Sequence, residues 1–304
     1  MRAPAATGES SVSVDIEAAS SGVSANAMSV DVEDYFQVSA FEQQIDRNSW
    51  SSRECRVERN TQLIMELFAE SGATATFFFL GWIAERYPAL LRAASDHGHE
   101  IASHGLSHVR VSNQGPEEFR QDVDRTKKLL EDVSGQQVVG YRAASFSIGP
   151  DTPWAYDILH ETGHHYSSSI FPIRHDRYGL RDAPRMPHEV GADDLVELPV
   201  TTVEWNGMRL PCGGGGYFRL LPYALSSWGI RRVNRLDRQP SIFYFHPWEL
   251  DPDQPRIRGV DARTRFRHYV NLKGYERKFS RLLGDFRWTS INDAFRSQIP
   301  GTVD

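Results

Sequence analysis

Two histidines four residues apart, His104 and His108, carry the strongest chemical signal in the chain. They close the stretch His99-Glu100-Ile101-Ala102-Ser103-His104-Gly105-Leu106-Ser107-His108, with small residues and Gly105 nearby. Imidazoles at that spacing can face the same way from one helical turn and grip one metal ion. A catalytic zinc takes three protein ligands and keeps a position open for water. The pair therefore calls for a third ligand, a base and an acid.

Asp31-Val32-Glu33-Asp34 follows a short apolar strand and sets three carboxylates within one short stretch. Ionised neighbours raise one another's pKa unless a cation offsets them, and a metal on the histidines would be that cation. Strand alternation puts Asp31 and Glu33 on one face, so one can ligate while the other accepts a proton. Arg142 ends the run Val138-Val139-Gly140-Tyr141-Arg142, where it could hold a carboxylate ionised and oriented. His246 ends the apolar run Ile242-Phe243-Tyr244-Phe245. Parallel α/β folds build their sites at the C-terminal ends of strands. Asp31, His104, Arg142 and His246 all occupy such ends. The remaining histidines (His97, His99, His160, His164, His165, His175, His188 and His268) have no comparable setting and read as structural or surface groups.

The elements that must position these residues alternate. Strands are expected at Ala27–Val32, Ala73–Leu80, Glu100–Ala102, Val138–Arg142, His165–Ser169, Leu195–Val200 and Ser241–His246. Helices are expected at Val57–Ser71 (apolar face Leu63, Ile64, Leu67 and Phe68, stopped by Gly72), Gly81–Asp96, Pro116–Val133 and Trp154–Thr162. Alternating strands and helices predict a parallel sheet or barrel. The run Gly213-Gly214-Gly215-Gly216 reads as a flexible turn, and no Lys-Ser/Thr follows it to cradle a phosphate. The basic stretch Asp261–Phe286 reads as a solvated helix face packing on the barrel.

The 304 residues can bury a large core. A net charge of −6 argues against a general nucleic-acid binder. Cys55 and Cys212, the two cysteines of the chain, exclude a disulfide scaffold and lack zinc-thiolate spacing. Residues 1–26, rich in Ala, Ser, Gly and Val, predict a disordered leader without the apolar core of a signal peptide. No run approaches a membrane span, and a cytoplasmic protein follows as the expectation, with peripheral contact at the inner membrane as the variant.

These residues resemble the polysaccharide deacetylase family, also called NodB-homology or carbohydrate esterase family 4. The resemblance rests on Ser29-Val30-Asp31-Val32-Glu33-Asp34, on Ala75-Thr76-Phe77-Phe78 followed by His104 and His108, and on Gly140-Tyr141-Arg142-Ala143-Ala144-Ser145-Phe146. It also rests on Glu197-Leu198-Pro199 and Phe245-His246. Asp-Val-Glu-Asp-Tyr-Phe-Gln-Val and Phe-His-Pro-Trp-Glu-Leu-Asp-Pro further resemble a bacterial subgroup associated with exopolysaccharide production alongside exosortase systems. That subgroup carries a C-terminal extension. The usual adjacent Asp-Asp is Asp-x-Glu-Asp here, the third motif lacks its Pro, and the fourth has Glu where Asp is common.

The resemblance implies a distorted (β/α)7 barrel over residues 27–250, with residues 251–304 as a helical extension packed on it. It implies a hydrolase that removes N-acetyl groups from N-acetylhexosamines of an exopolysaccharide or cell-wall glycan, polymeric or lipid-linked. The ligands of Zn2+, or of another divalent transition metal, would be Glu33, His104 and His108, with Asp34 as a rival to Glu33. Asp31 would be the base, Arg142 its holder and His246 the acid, with Glu197 tuning His246. A backbone N–H near Ser145 or Phe146 would help the oxyanion, and Tyr35 and Trp248 would stack on sugar rings. The alternatives are an O-acetyl esterase and an inactive carbohydrate-binding relative.

Overall fold

The computed structural model describes residues 23–176, 178–191 and 194–301. Its strands are β1 (Asn26–Val32), β2 (Thr76–Phe79), β3 (Glu100–Ser103), β4 (Gly140–Tyr141), β5 (Tyr166–Ser167), β6 (His188–Val190), β7 (Leu195–Glu197), β8 (Thr202–Trp205), β9 (Met208–Pro211), β10 (Ile242–Phe245) and β11 (Trp288–Thr289). Its helices are α1 (Val57–Ser71), α2 (Gly81–Arg86), α3 (Pro88–Asp96), α4 (Pro116–Ser134), α5 (Trp154–Glu161), α6 (Gly215–Leu220), α7 (Tyr223–Arg232), α8 (Ala262–Tyr269), α9 (Tyr275–Asp285) and α10 (Ile291–Ala294).

β1 is buried along its whole length because both of its faces are covered. Met28, Val30 and Val32 join Phe77, Phe79, Ile101, Phe243 and Phe245 in an outer layer under the helices. Ala27 points the other way, into an inner cluster with Phe78, Ala102, Tyr166 and Ile242. By alternation Ser29 and Asp31 continue that inward row toward the C-terminal end of the strand.

Seven strands run parallel in the order β10-β1-β2-β3-β4-β5-β7, with β6 antiparallel on β7 and β11 parallel on β1. The sheet curls until the chain beyond β7 meets β10. There Thr201 N–H donates to Ile242 O at 3.4 Å and Ile242 N–H donates to Thr201 Oγ1 at 2.6 Å. This is the curled, distorted α/β barrel that the resemblance implies, its seam closed partly by a side chain.

Three local readings change. The single helix expected over Gly81–Asp96 is two, broken at Tyr87, because the residue before Pro88 is pushed off helical backbone. On α1 the buried face is Val57, Asn60, Thr61, Ile64, Met65 and Phe68, with Leu63 and Leu67 only partly covered. The glycine run is not a flexible turn. Gly213 O accepts from Tyr244 N–H at 2.8 Å, and a Cβ on Gly213 would stand 2.2 Å from Ile242 O. Its glycines let one backbone lie against another.

Beyond residue 250, α9 buries Tyr275, Phe279, Leu282 and Leu283 in the outer layer and β11 extends the main sheet. These residues therefore share the core and the sheet of the preceding ones. The leader expected at residues 1–26 falls, through residue 22, outside the described residues, and Asn26 already begins β1. Among the described residues no helix is long and apolar enough to cross a membrane.

Candidate active site

The ends of β1, β3, β4 and β10 converge on one cleft of about 290 Å³. After β3 the chain enters a loop, not the helical turn that the histidine spacing suggests. Gly105 (φ +73°) and His108 (φ +51°) both adopt left-handed backbone, which ends any right-handed helix. The loop is tied to the start of α2, where Gly81 and Trp82 N–H donate to Gly105 and Leu106 O at 2.9 and 2.8 Å. After β1, a tight reversal has Glu33 N–H donating to Asp31 O at 2.9 Å. The outcome is a buried group, Glu33, His104 and His108, whose ligand atoms lie within 4.8 Å of one another.

The chemistry of this group fits a divalent metal. His104 Nδ1 donates to Arg142 O at 2.8 Å, which leaves Nε2 as the lone-pair nitrogen. Burial, reinforced by His104, His246, Arg47 and Arg110, holds His108 well below the usual imidazole range, so its ring is neutral. Burial also lowers His104. Glu33 Oε2 is buried, 3.0 Å from His108 Nε2, and makes no hydrogen bond. Two neutral imidazoles and a carboxylate with an orphaned oxygen are a zinc-type donor set. Burial pushes the Glu33 carboxyl up to about 7, and a cation among these ligands would reverse that shift.

Arg142 is fully buried beside this group. Its Nη1 donates to Asp31 Oδ1 at 2.6 Å and to Ser29 Oγ at 2.9 Å. Its Nε and Nη2 donate to Ser168 O and Oγ at 3.0 and 2.9 Å, and its Cζ lies 4.1 Å from the Phe78 ring centroid. A charge in the interior is tolerable only with such extensive pairing. Burial alone would raise Asp31, but Arg142, then His104 and His246, outweigh it and hold the carboxyl below its ordinary value.

His246 is set the opposite way. Its Nδ1 lies 2.8 Å from Glu249 Oε1, and Glu249 Oε2 accepts from Arg219 Nε at 2.6 Å. The other ring nitrogen, Nε2, is 3.5 Å from Glu33 Oε1 and 3.9 Å from Asp31 Oδ2. Burial would lower this histidine, but the bond to Glu249 and the charges of Glu33, Glu249 and Asp31 outweigh it and raise its pKa. Gly215 is packed against the pair, since a Cβ there would stand 2.1 Å from Glu249 Oε1.

Sequence reasoning did not single out Glu249. Its signal is a His-Pro-x-Glu cap at a strand end, in which Glu249 Oε1 also accepts from His246 N–H at 3.2 Å. It takes the place expected for Glu197, whose Oε1 instead accepts from Ser169 and Ile170 N–H, both at 2.8 Å. Asp34 is turned away from the metal group. Its Oδ1 accepts from Tyr35 N–H, and its Oδ2 accepts from Arg56 and Val57 N–H at the start of α1.

Tyr35 is buried among Phe36, Phe41 and Trp50 and does not line the cleft, so it offers no sugar platform. Trp248 lines the cleft, but its ring lies between the His246 and His268 rings, at 5.1 and 4.1 Å. Its faces are taken, and its Nε1 donates to Glu33 Oε1 at 3.4 Å. Ser145 and Phe146 form the cleft wall in left-handed backbone (φ +55° and +51°). Phe146 N–H is spent on Ala143 O at 3.0 Å, which leaves Ser145 N–H as the available donor. Ser145 Oγ meets Ser39 Oγ at 2.6 Å, and Ser39 Oγ lies 3.5 Å from His108 Nδ1.

A family model described as polysaccharide deacetylase matches residues 21–166, and one described as a domain of unknown function (DUF3473) matches residues 168–296. A chitooligosaccharide deacetylase of Azorhizobium caulinodans is 29% identical over 99 residues, covering 33% of this chain and 45% of the relative. A peptidoglycan-N-acetylglucosamine deacetylase of Bacillus cereus is 34% identical over 71 residues, covering 23% and 33%. The alignments thus span under half the length of these curated relatives. A solved structure of a candidate polysaccharide deacetylase from Mycobacterium smegmatis superposes with a TM-score of 0.56 at 18% identity, covering 90% of this chain and 91% of that one. That likeness is one of fold.

Proposed function

We propose, from the premise that residues 21–166 match a family model described as polysaccharide deacetylase, that the protein is a metal-dependent hydrolase of N-acetyl groups on N-acetylhexosamines of an exopolysaccharide or cell-wall glycan. The observation that carries this reading is the opposed pair Asp31 and His246 beside the buried ligand group. The Asp31 carboxyl is held below its ordinary value and the His246 imidazole above its own, with Asp31 Oδ2 3.9 Å from His246 Nε2. Environments that push two titratable groups apart in this way assign a base and an acid.

Glu33, His104 and His108 would hold the ion. Bound there, a divalent cation supplies Lewis acidity at the acyl carbonyl and lowers the pKa of water. Asp31, oriented by Arg142, accepts the proton of the attacking water. Ser145 N–H is placed in the cleft wall to donate to the developing oxyanion. His246, held by Glu249, delivers its proton to the leaving nitrogen as the C–N bond breaks, giving acetate and a free amine. An amide leaving group needs that proton far more than an ester alkoxide does, so a His246 whose pKa is raised by Glu249 and its acidic neighbours favours N- over O-deacetylation.

Acetate release from matched N-acetylated and O-acetylated oligosaccharides tests this. Turnover of the N-acetyl substrate is expected, with Asp31→Asn losing about 10²–10⁴-fold. Preferential turnover of the O-acetyl substrate would make the protein an esterase, and inertness toward both would make it a binding relative.

A further inference from the structure

The β8–β9 hairpin and α7 share a surface that lies outside the cleft. Trp205 and Met208 face each other across the two-residue turn Asn206-Gly207, both in left-handed backbone, which makes a rigid hairpin tip. On α7 and the turn that prolongs it, Leu225, Trp228, Arg232, Arg235 and Leu236 follow helical spacing along one stripe. Trp205 and Trp228 meet edge to face at 6.3 Å, which joins the tip to the stripe. Trp205, Met208, Leu225, Trp228 and Leu236 are each between 38% and 58% exposed, unusually high for five large apolar side chains in one place.

The charges around them are one-sided. Arg232 Cζ lies 5.9 Å from the Trp228 ring centroid, and Arg235 and Arg238 are exposed without a side-chain partner among the described residues. The nearby acids are already spent. Glu204 pairs with Arg209 at 3.2 Å, and Asp237 with Arg185 at 2.5 Å. A cationic apolar patch on a chain of net charge −6 needs a partner that is anionic and apolar at once.

A second copy would set arginine against arginine. A glycan would find few amide or carboxylate groups for its hydroxyls, and two perpendicular indoles give no common platform. A bilayer surface offers both requirements. We propose that this face docks the protein on an anionic lipid bilayer. The indoles, Met208, Leu225 and Leu236 enter the headgroup boundary, and Arg232, Arg235 and Arg238 meet lipid phosphates. α6, which lines the cleft, joins α7 through Leu221 and Pro222, so the docked surface lies one helix from the active site.

Co-sedimentation of the full chain with vesicles tests this, using phosphatidylcholine alone against equal parts phosphatidylcholine and phosphatidylglycerol. Binding is expected only to the anionic vesicles, and it should weaken as salt is added. Trp205→Ser with Trp228→Ser should abolish it. Arg235→Glu with Arg238→Glu should lower it by on the order of tenfold or more, since each surface arginine contributes about fivefold. Circular dichroism melting of both variants should match the parent, which shows that the fold is intact. Equal recovery with neutral and anionic vesicles, or binding unmoved by either variant, overturns the proposal. So does a dimeric mass by light scattering that the tryptophan variant abolishes, or retention on insoluble chitin without vesicle binding.

Discussion

At the residue scale, the division of labour between Glu33 and Asp34 is set by backbone partners. Both carboxylates are buried, but Asp34 spends its oxygens on the N–H of Tyr35 and on those of Arg56 and Val57 at the start of α1, while Glu33 keeps an oxygen without a hydrogen bond beside His108. Adjacent acids look alike in a sequence, and only the reversal after β1 decides which one turns to the histidines. Glu33→Gln should therefore lose bound metal by elemental analysis, whereas Asp34→Asn should keep it and lower stability by about 1–2 kcal/mol through weakened capping. His246 and Glu249 make a second prediction. A raised pKa keeps His246 protonated to higher pH, so activity falls only as pH rises through that raised value. Glu249→Gln removes a hydrogen-bonded negative charge and lowers the histidine. The alkaline limb of the pH–rate profile should then move to lower pH while the acid limb stays. An unmoved alkaline limb would remove His246 as the acid.

At the element scale, the seven parallel strands were legible because apolar runs such as Thr76–Phe79 and Ile242–Phe245 are buried on both faces, and the second of these ends at His246; β6, β8, β9 and β11 were not. Nor were the loops. The His104–His108 spacing suits a helical turn, and Gly105 was the one local sign that the chain would leave that path. The glycine run misleads in the other direction, because a linker and a closely packed backbone have the same composition. Substitution separates them. Gly215→Ala drives a Cβ into Glu249 and should cost about 1–3 kcal/mol and much of the activity. Gly216→Ala, whose nearest neighbour is the end of Arg219 at 3.9 Å, should be close to silent in thermal melting and in acetate release.

At the scale of the whole molecule, the site is assembled from both family matches. Asp31, Glu33, His104, His108 and Arg142 lie within residues 21–166, and Arg219, His246 and Glu249 lie within residues 168–296. The two matched segments meet at β5, inside one sheet, and β10 pairs directly with β1. The sequence could place the candidate site residues at strand ends, but not show that β11, from the far end of the chain, returns to β1. Long-range pairing leaves no local pattern. Trp288, buried in the outer layer with its Nε1 donating to Leu282 O at 3.1 Å, anchors that return. Trp288→Ala should cost about 3–5 kcal/mol by denaturant unfolding, and a chain cut at residue 250 should fail to fold rather than retain activity.

The most direct test is acetate release from N-acetylglucosamine oligomers by chelator-stripped protein as Zn2+ is added back. The parent chain should be inactive when stripped and recover in proportion to zinc, levelling at one ion per chain, while His104→Ala stays inactive throughout. Full activity in the stripped protein, or recovery by His104→Ala equal to that of the parent, would contradict a metal centre built on Glu33, His104 and His108.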